Sequence, residues 1–198
     1  MKRTWIVLVI VALVGQVQAA DLLIGGTWYE GHGGALYQDG YGGDMQLRLP
    51  VASNLDVGLS AGYGRYSLSD YQTKSKRHHR RTSYTEDGSL ETTQLGLSGI
   101  YGVPIGPIRV EGELGVTYNI TDADMHSVSS SRSRMSRSDI DLFNFWTGKA
   151  GLNLSAPIGG PSIVAGVGYQ FTLDRRDLGS RINNIDGLYC KLGVMFPL

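Results

Sequence analysis

The chain has 198 residues, a one-domain length, and its 18 basic and 18 acidic side chains cancel, which removes any global attraction to nucleic acid or another polyanion. Glycine supplies 28 residues, about twice the usual share, with neither a collagen-like period nor a linker-like cluster. It recurs inside apolar stretches, the distribution of many short strands and tight turns.

Residues 1–19 read as a secretory signal peptide. Lys2 and Arg3 form a positive start, Trp5 to Val14 an uninterrupted apolar run, and Val17-Gln18-Ala19 a small-residue cleavage signal. The run falls short of the roughly 20 apolar residues that a spanning helix needs. No cysteine lies near the site, which argues against a lipid anchor. Removing Lys2 and Arg3 from the 18 basic residues leaves 16 against 18 acidic ones, a net charge of −2 for 20–198. Export and this charge both argue against nucleic acid as a partner. The one cysteine, Cys190, offers no internal disulfide. It alternates with Leu188, Leu192, Val194 and Phe196 and reads as a small apolar filler.

From residue 20 onward the dominant period is two. Leu55, Val57, Leu59, Ala61 and Tyr63 alternate with Asp56, Gly58, Ser60, Gly62 and Gly64. The same holds from Ile108 to Ile120 and from Ile163 to Leu173. Such runs are half-buried strands. Eight are expected, near 22–30, 41–51, 55–68, 91–103, 108–120, 140–156, 162–174 and 184–196. Connections after the second, fourth and sixth are short and marked by proline: Pro50 to Asn54, Pro104 to Pro107, Pro157 to Pro161. Those after the odd strands are longer and polar, two of them covering 69–90 and 121–139. In an up-and-down meander this trims one end and elaborates the other.

Alternation alone fits a soluble barrel as well as a membrane one, and three features favour the membrane. The polar face is rich in glycine (Gly42, Gly58, Gly62, Gly96, Gly102, Gly115, Gly166, Gly193), suiting a narrow lumen better than a wetted surface. The apolar face carries aromatic residues toward strand ends, among them Trp28, Tyr41, Tyr63, Tyr101, Tyr118, Trp146, Tyr169, Phe171 and Phe196, the composition of interfacial girdles. Strands of about eight to ten residues, rising ~3.3 Å each and tilted near 40°, span roughly 25 Å, the height of the hydrocarbon band. In hydrocarbon every backbone polar group must be paired, which a sheet achieves only by closing on itself. The expected fold is therefore an all-β, eight-stranded antiparallel up-and-down transmembrane barrel over 20–198, with short periplasmic turns and longer extracellular loops.

With these elements placed, the chain resembles the small eight-stranded outer-membrane barrels of the OmpA/OmpX type. The most specific piece is the final strand, Gly187-Leu188-Tyr189-Cys190-Lys191-Leu192-Gly193-Val194-Met195-Phe196, similar to the C-terminal signal that such proteins present to the barrel-assembly machinery. Pro197 and Leu198 depart from that pattern by following the aromatic residue. The resemblance implies an outer-membrane location, lipid contacts and no shared catalytic activity; no functional residue carries over from it.

Two groups of residues remain as functional candidates. Asp44, Arg48, Asp56, Arg109, Glu111, Glu113, Lys149 and Lys191 fall on the inward face, four acids and four bases. They are expected to plug the lumen with ion pairs rather than to conduct ions. In the loops, Lys74, Lys76, Arg77, Arg80 and Arg81 lie with His78 and His79 in the run KSKRHHRR, followed by Glu86 and Asp87. Further basic residues are Arg132, Arg134 and Arg137, then Arg175, Arg176 and Arg181. Arginine engages phosphate bidentately, so this rim is the candidate contact for lipopolysaccharide phosphates or anionic glycans. The histidines His32, His78, His79 and His126 match no standard metal-ligand spacing, and no cofactor is implied. His126 with Ser127 is the only hint of a lipid-modifying enzyme, and no motif supplies an accompanying acid. The leading expectation is a monomeric, non-enzymatic barrel with a structural, adhesion or surface-binding role. A lipid-A-modifying enzyme and a narrow pore or hydrophobic-solute conduit are the alternatives.

Overall fold

The computed structural model describes residues 20–31, 37–68, 84–129, 144–174, 177–178, 181–182 and 185–198, with backbone alone for 37–38, 84–88, 122–129, 177–178 and 181–182. Seven strands follow in chain order: β1 (Asp21–Gly31), β2 (Tyr37–Ala52), β3 (Leu55–Leu68), β4 (Tyr84–Ile105), β5 (Ile108–Ser129), β6 (Phe145–Pro157) and β7 (Ser162–Thr172). A small hairpin, β8 (Asp177–Leu178) with β9 (Arg181–Ile182), precedes β10 (Gly187–Pro197). Each large strand pairs antiparallel with its chain neighbour, and β10 pairs with β1 to close an eight-stranded barrel. The seam runs unbroken from Gly31↔Gly187 to Asp21↔Pro197, and the Leu198 amide donates to the Ala20 carbonyl at 2.8 Å. The two residues after Phe196 are thus used in closing the sheet.

The faces show which solvent the barrel is built for. Leu114 and Trp28 are each 70% exposed and Leu192 63%, whereas Glu111 is 0%, Glu113 1% and Arg48 1% exposed. A soluble barrel buries apolar groups and exposes charges; here the order is inverted, as a transmembrane barrel requires. Along β10 buried and exposed positions alternate from Gly187 through Gly193, so the period-two pattern in the sequence is the period of the wall.

The short connections are tight. Ile105 pairs with Ile108, leaving Gly106 and Pro107 as the two turn residues, and Gly106 has φ +61°. A positive φ at the first turn position followed by proline is the II′ geometry that matches strand twist, and it selects glycine there. Pro50 lies beside a register shift in the β2–β3 pairing, at the strand end where a missing amide is tolerated.

The expected eight-stranded architecture holds, with corrections of extent. Residues 84–90 and 121–129, read as loop from sequence, are strand. Above the rim, Tyr84–Gly88 of β4 pair only with Met125–Ser129 of β5, forming a two-stranded ribbon. Asp87-Gly88 resembles a turn signal yet faces His126 and Met125 within this ladder. Conversely, β6 begins at Phe145 rather than near 140, β7 ends at Thr172, and β10 begins at Gly187 rather than near 184.

Candidate functional site

The lumen is the best-defined site. Because inward positions recur every second residue on every strand, polar side chains from non-neighbouring strands meet across the barrel. Nearest the periplasmic turns, the Arg109 guanidinium from β5 donates to Asp56 of β3 at 2.9 Å and lies 3.6 Å from Glu111. Arg48 of β2 reaches the other Glu111 oxygen at 2.8 Å and donates to the side-chain Oε1 of Gln46 at 3.0 Å.

One layer up, Glu113 is the hub. Gln46 donates to its Oε1 at 2.9 Å and Asn153 to its Oε2 at 3.1 Å, while Lys149 lies 3.4 Å from Oε1 and Lys191 3.1 Å from Oε2. Four donors from three other strands, β2, β6 and β10, thus surround one buried carboxylate. Such charge-assisted bonds repay its desolvation only when the set is complete. Asp44, higher still, accepts from Thr27 at 3.1 Å and forms no ion pair among the described residues.

Apolar side chains pack beside this polar column in two clusters, while at its periplasmic end Arg109 stays partly exposed. Leu23, Val164 and Met195 form a buried cluster toward the periplasmic end. Toward the extracellular end Tyr66, Leu90, Phe145 and Ile185 pack together with Tyr29. Ile185 comes from the segment leading into β10 rather than from a barrel strand. It is tied down by its own amide, which donates to the Thr172 hydroxyl at 3.3 Å, and by Asp186, which accepts from the Thr172 amide at 2.6 Å.

All eight lumen charges singled out in the sequence therefore point inward, and seven of them meet in ion pairs. Sequence reasoning missed the uncharged partners Gln46, Asn153 and Ser98, the last accepting from Gln46 at 3.0 Å. The available signal was their even spacing with Arg48 and Lys149 along strands of the same alternation.

The basic run Lys74, Lys76, Arg77, Arg80 and Arg81 lies outside the described residues, as do His32, His78 and His79, Arg132, Arg134 and Arg137, and Arg175 and Arg176. For Arg181, Glu86, Asp87, His126 and Ser127 the strand backbone is described, the side chain is not. Tyr84 pairs with Ser129, so the segment that enters β4 and the segment that leaves β5 both attach at the extracellular tip of the ribbon.

No protein-family model matches the chain, and no curated protein matches it in sequence. Among solved structures it is similar to the outer membrane protein OprG from Pseudomonas aeruginosa, with 11% identity, a TM-score of 0.57 and coverage of 92% of this chain and 96% of that one. It is also similar to a major outer membrane protein from Thermus thermophilus, with 15% identity, a TM-score of 0.53 and coverage of 91% and 100%. Closure by eight antiparallel strands, an inverted distribution of apolar surface and these likenesses together give the chain the fold of the small outer-membrane barrels of the OmpA/OmpX type.

Proposed function

We propose that the protein is a non-conducting, non-enzymatic barrel of the bacterial outer membrane, exported through a cleaved signal peptide, whose work is done by its extracellular segments. The observation that carries this reading is the lumen. Seven of its eight candidate charges are spent on one another, and two apolar clusters pack beside the polar column. That filling supports a scaffold over a conduit, and it commits the carboxylates and amines of the column to one another rather than to acid–base chemistry. Elaboration lies at the other end of the molecule, where β4 and β5 continue past their neighbours.

On this reading Lys74, Lys76, Arg77, Arg80 and Arg81, joined to the ribbon through β4, contact phosphate or other anionic groups of surface lipopolysaccharide or glycan. Five cations within eight residues repel one another, and an anionic ligand relieves that repulsion. Arg132, Arg134 and Arg137 follow β5 in the chain, and β5 ends in the pairing of Ser129 with Tyr84.

Replacing the five basic residues by serine is expected to abolish retention of lipopolysaccharide by the purified barrel and to leave heat-modifiable gel migration unchanged. Wild-type retention should also weaken with added salt, because exposed charges are screened over about 8 Å at physiological ionic strength. Undiminished retention by the five-serine variant would overturn the assignment.

A further inference from the structure

The periplasmic end of the barrel combines two features that neither the lumen nor the loops account for. Its short connections, Pro50 to Asn54, Pro104 to Ile108 and Pro157 to Pro161, carry no charged residue, and Val51, Ile105, Ile158 and Leu198 are each more than half exposed around the rim. Inside this rim lies a basin of about 670 Å³ whose charged lining is Asp21, Arg48, Asp56 and Arg109. We propose that the basin seats the zwitterionic headgroup of a phospholipid from the periplasmic leaflet. The proposal is independent of the loop function suggested above.

The rim selects the neighbour. Ile105 extends the exposed row of Leu97, Tyr101 and Val103 along β4, so the wall that faces lipid runs on into the turn instead of ending in a belt of charge. An exposed apolar surface of this kind marks a contact with membrane or with another apolar partner. Here it is continuous with a face that lipid already covers.

The basin selects the headgroup. Asp21 is the register partner of Arg48, so the two side chains share the inward face. Asp21 forms no ion pair among the described residues, which leaves its carboxylate for a ligand ammonium. Arg109, partly exposed, spends Nη2 on Asp56, and the Nη2 of buried Arg48 has no hydrogen-bond partner among the described residues. A guanidinium has five donors, so both arginines can take phosphate oxygens while keeping their own carboxylates. The formal charges of the four lining side chains cancel. A free anion or cation would bring an unbalanced charge into the basin, whereas a zwitterion brings none. A soluble zwitterion would match the charges and leave the apolar rim in water. The volume lies within the roughly 300–1,000 Å³ of small-ligand sites.

The test asks which lipid stays with the barrel. The purified protein is released from vesicles of equal phosphatidylethanolamine and phosphatidylglycerol, and the lipid it retains is read by native mass spectrometry. The wild type is expected to keep phosphatidylethanolamine in about tenfold excess, the size of one hydrogen bond to a charged group. The basic loops would draw the anionic lipid and so work against that ratio. Asp21→Asn, checked for a folded barrel by heat-modifiable migration, should bring the ratio to parity, because the ammonium loses its carboxylate. Parity or a phosphatidylglycerol excess in the wild type, or a phosphatidylethanolamine excess that survives Asp21→Asn, would overturn the proposal.

Discussion

Arg48 and Glu111 stand 63 positions apart in the chain and 2.8 Å apart in the lumen, both essentially without solvent. Removing one member of such a pair strands the other. Arg48→Met leaves Glu111 facing only the more distant Arg109 and is expected to cost about 3 kcal/mol, read from urea titration in liposomes. The double change Arg48→Met with Glu111→Leu should recover most of that loss, since no buried charge is then left uncompensated. Which face each charge occupies was legible in the sequence, because alternation with period two assigns Arg48, Glu111 and Glu113 to the side opposite Leu49, Val110 and Leu114. Who partners whom was not. β2 and β5 share no ladder, and only the curvature of the closed wall brings Arg48 to Glu111.

The strands show the same division. Leu114 sits near the middle of the lipid-facing row of β5 and is 70% exposed. Leu114→Arg is expected to destabilise the barrel by about 2–4 kcal/mol in a bilayer. Arg at the neighbouring Gly115 meets a different obstacle, since even a Cβ there comes within 3.0 Å of the Leu97 carbonyl and the Ser98 side chain. Unfolding titrations in thick and thin bilayers separate the two: the cost at 114 should vary with bilayer thickness, the cost at 115 should not. Strand ends embedded in the wall were readable from sequence because one side must be apolar. The outer parts of β4 and β5 were not, because a ribbon above the rim is held by backbone pairing and carries no obligatory apolar alternation; Asp87-Gly88 even suggests a turn. The Pro104 to Pro107 turn was legible for the opposite reason, its prolines marking a short connection in which Gly106 takes the positive φ.

For the whole molecule, closure and filling act together. Closure satisfies the wall amides without a disulfide or an exposed edge, and filling turns the narrow interior into a core of ion pairs flanked by two apolar clusters. On the function proposed above, a barrel built this way separates stability, which resides in the wall and lumen, from recognition, which would fall to segments at one end. The most direct test of this account is the current across a planar bilayer containing the purified, heat-modifiable protein. The account predicts no resolvable single-channel openings under conditions in which a porin control conducts; stable, reproducible channels from the wild-type protein would contradict it.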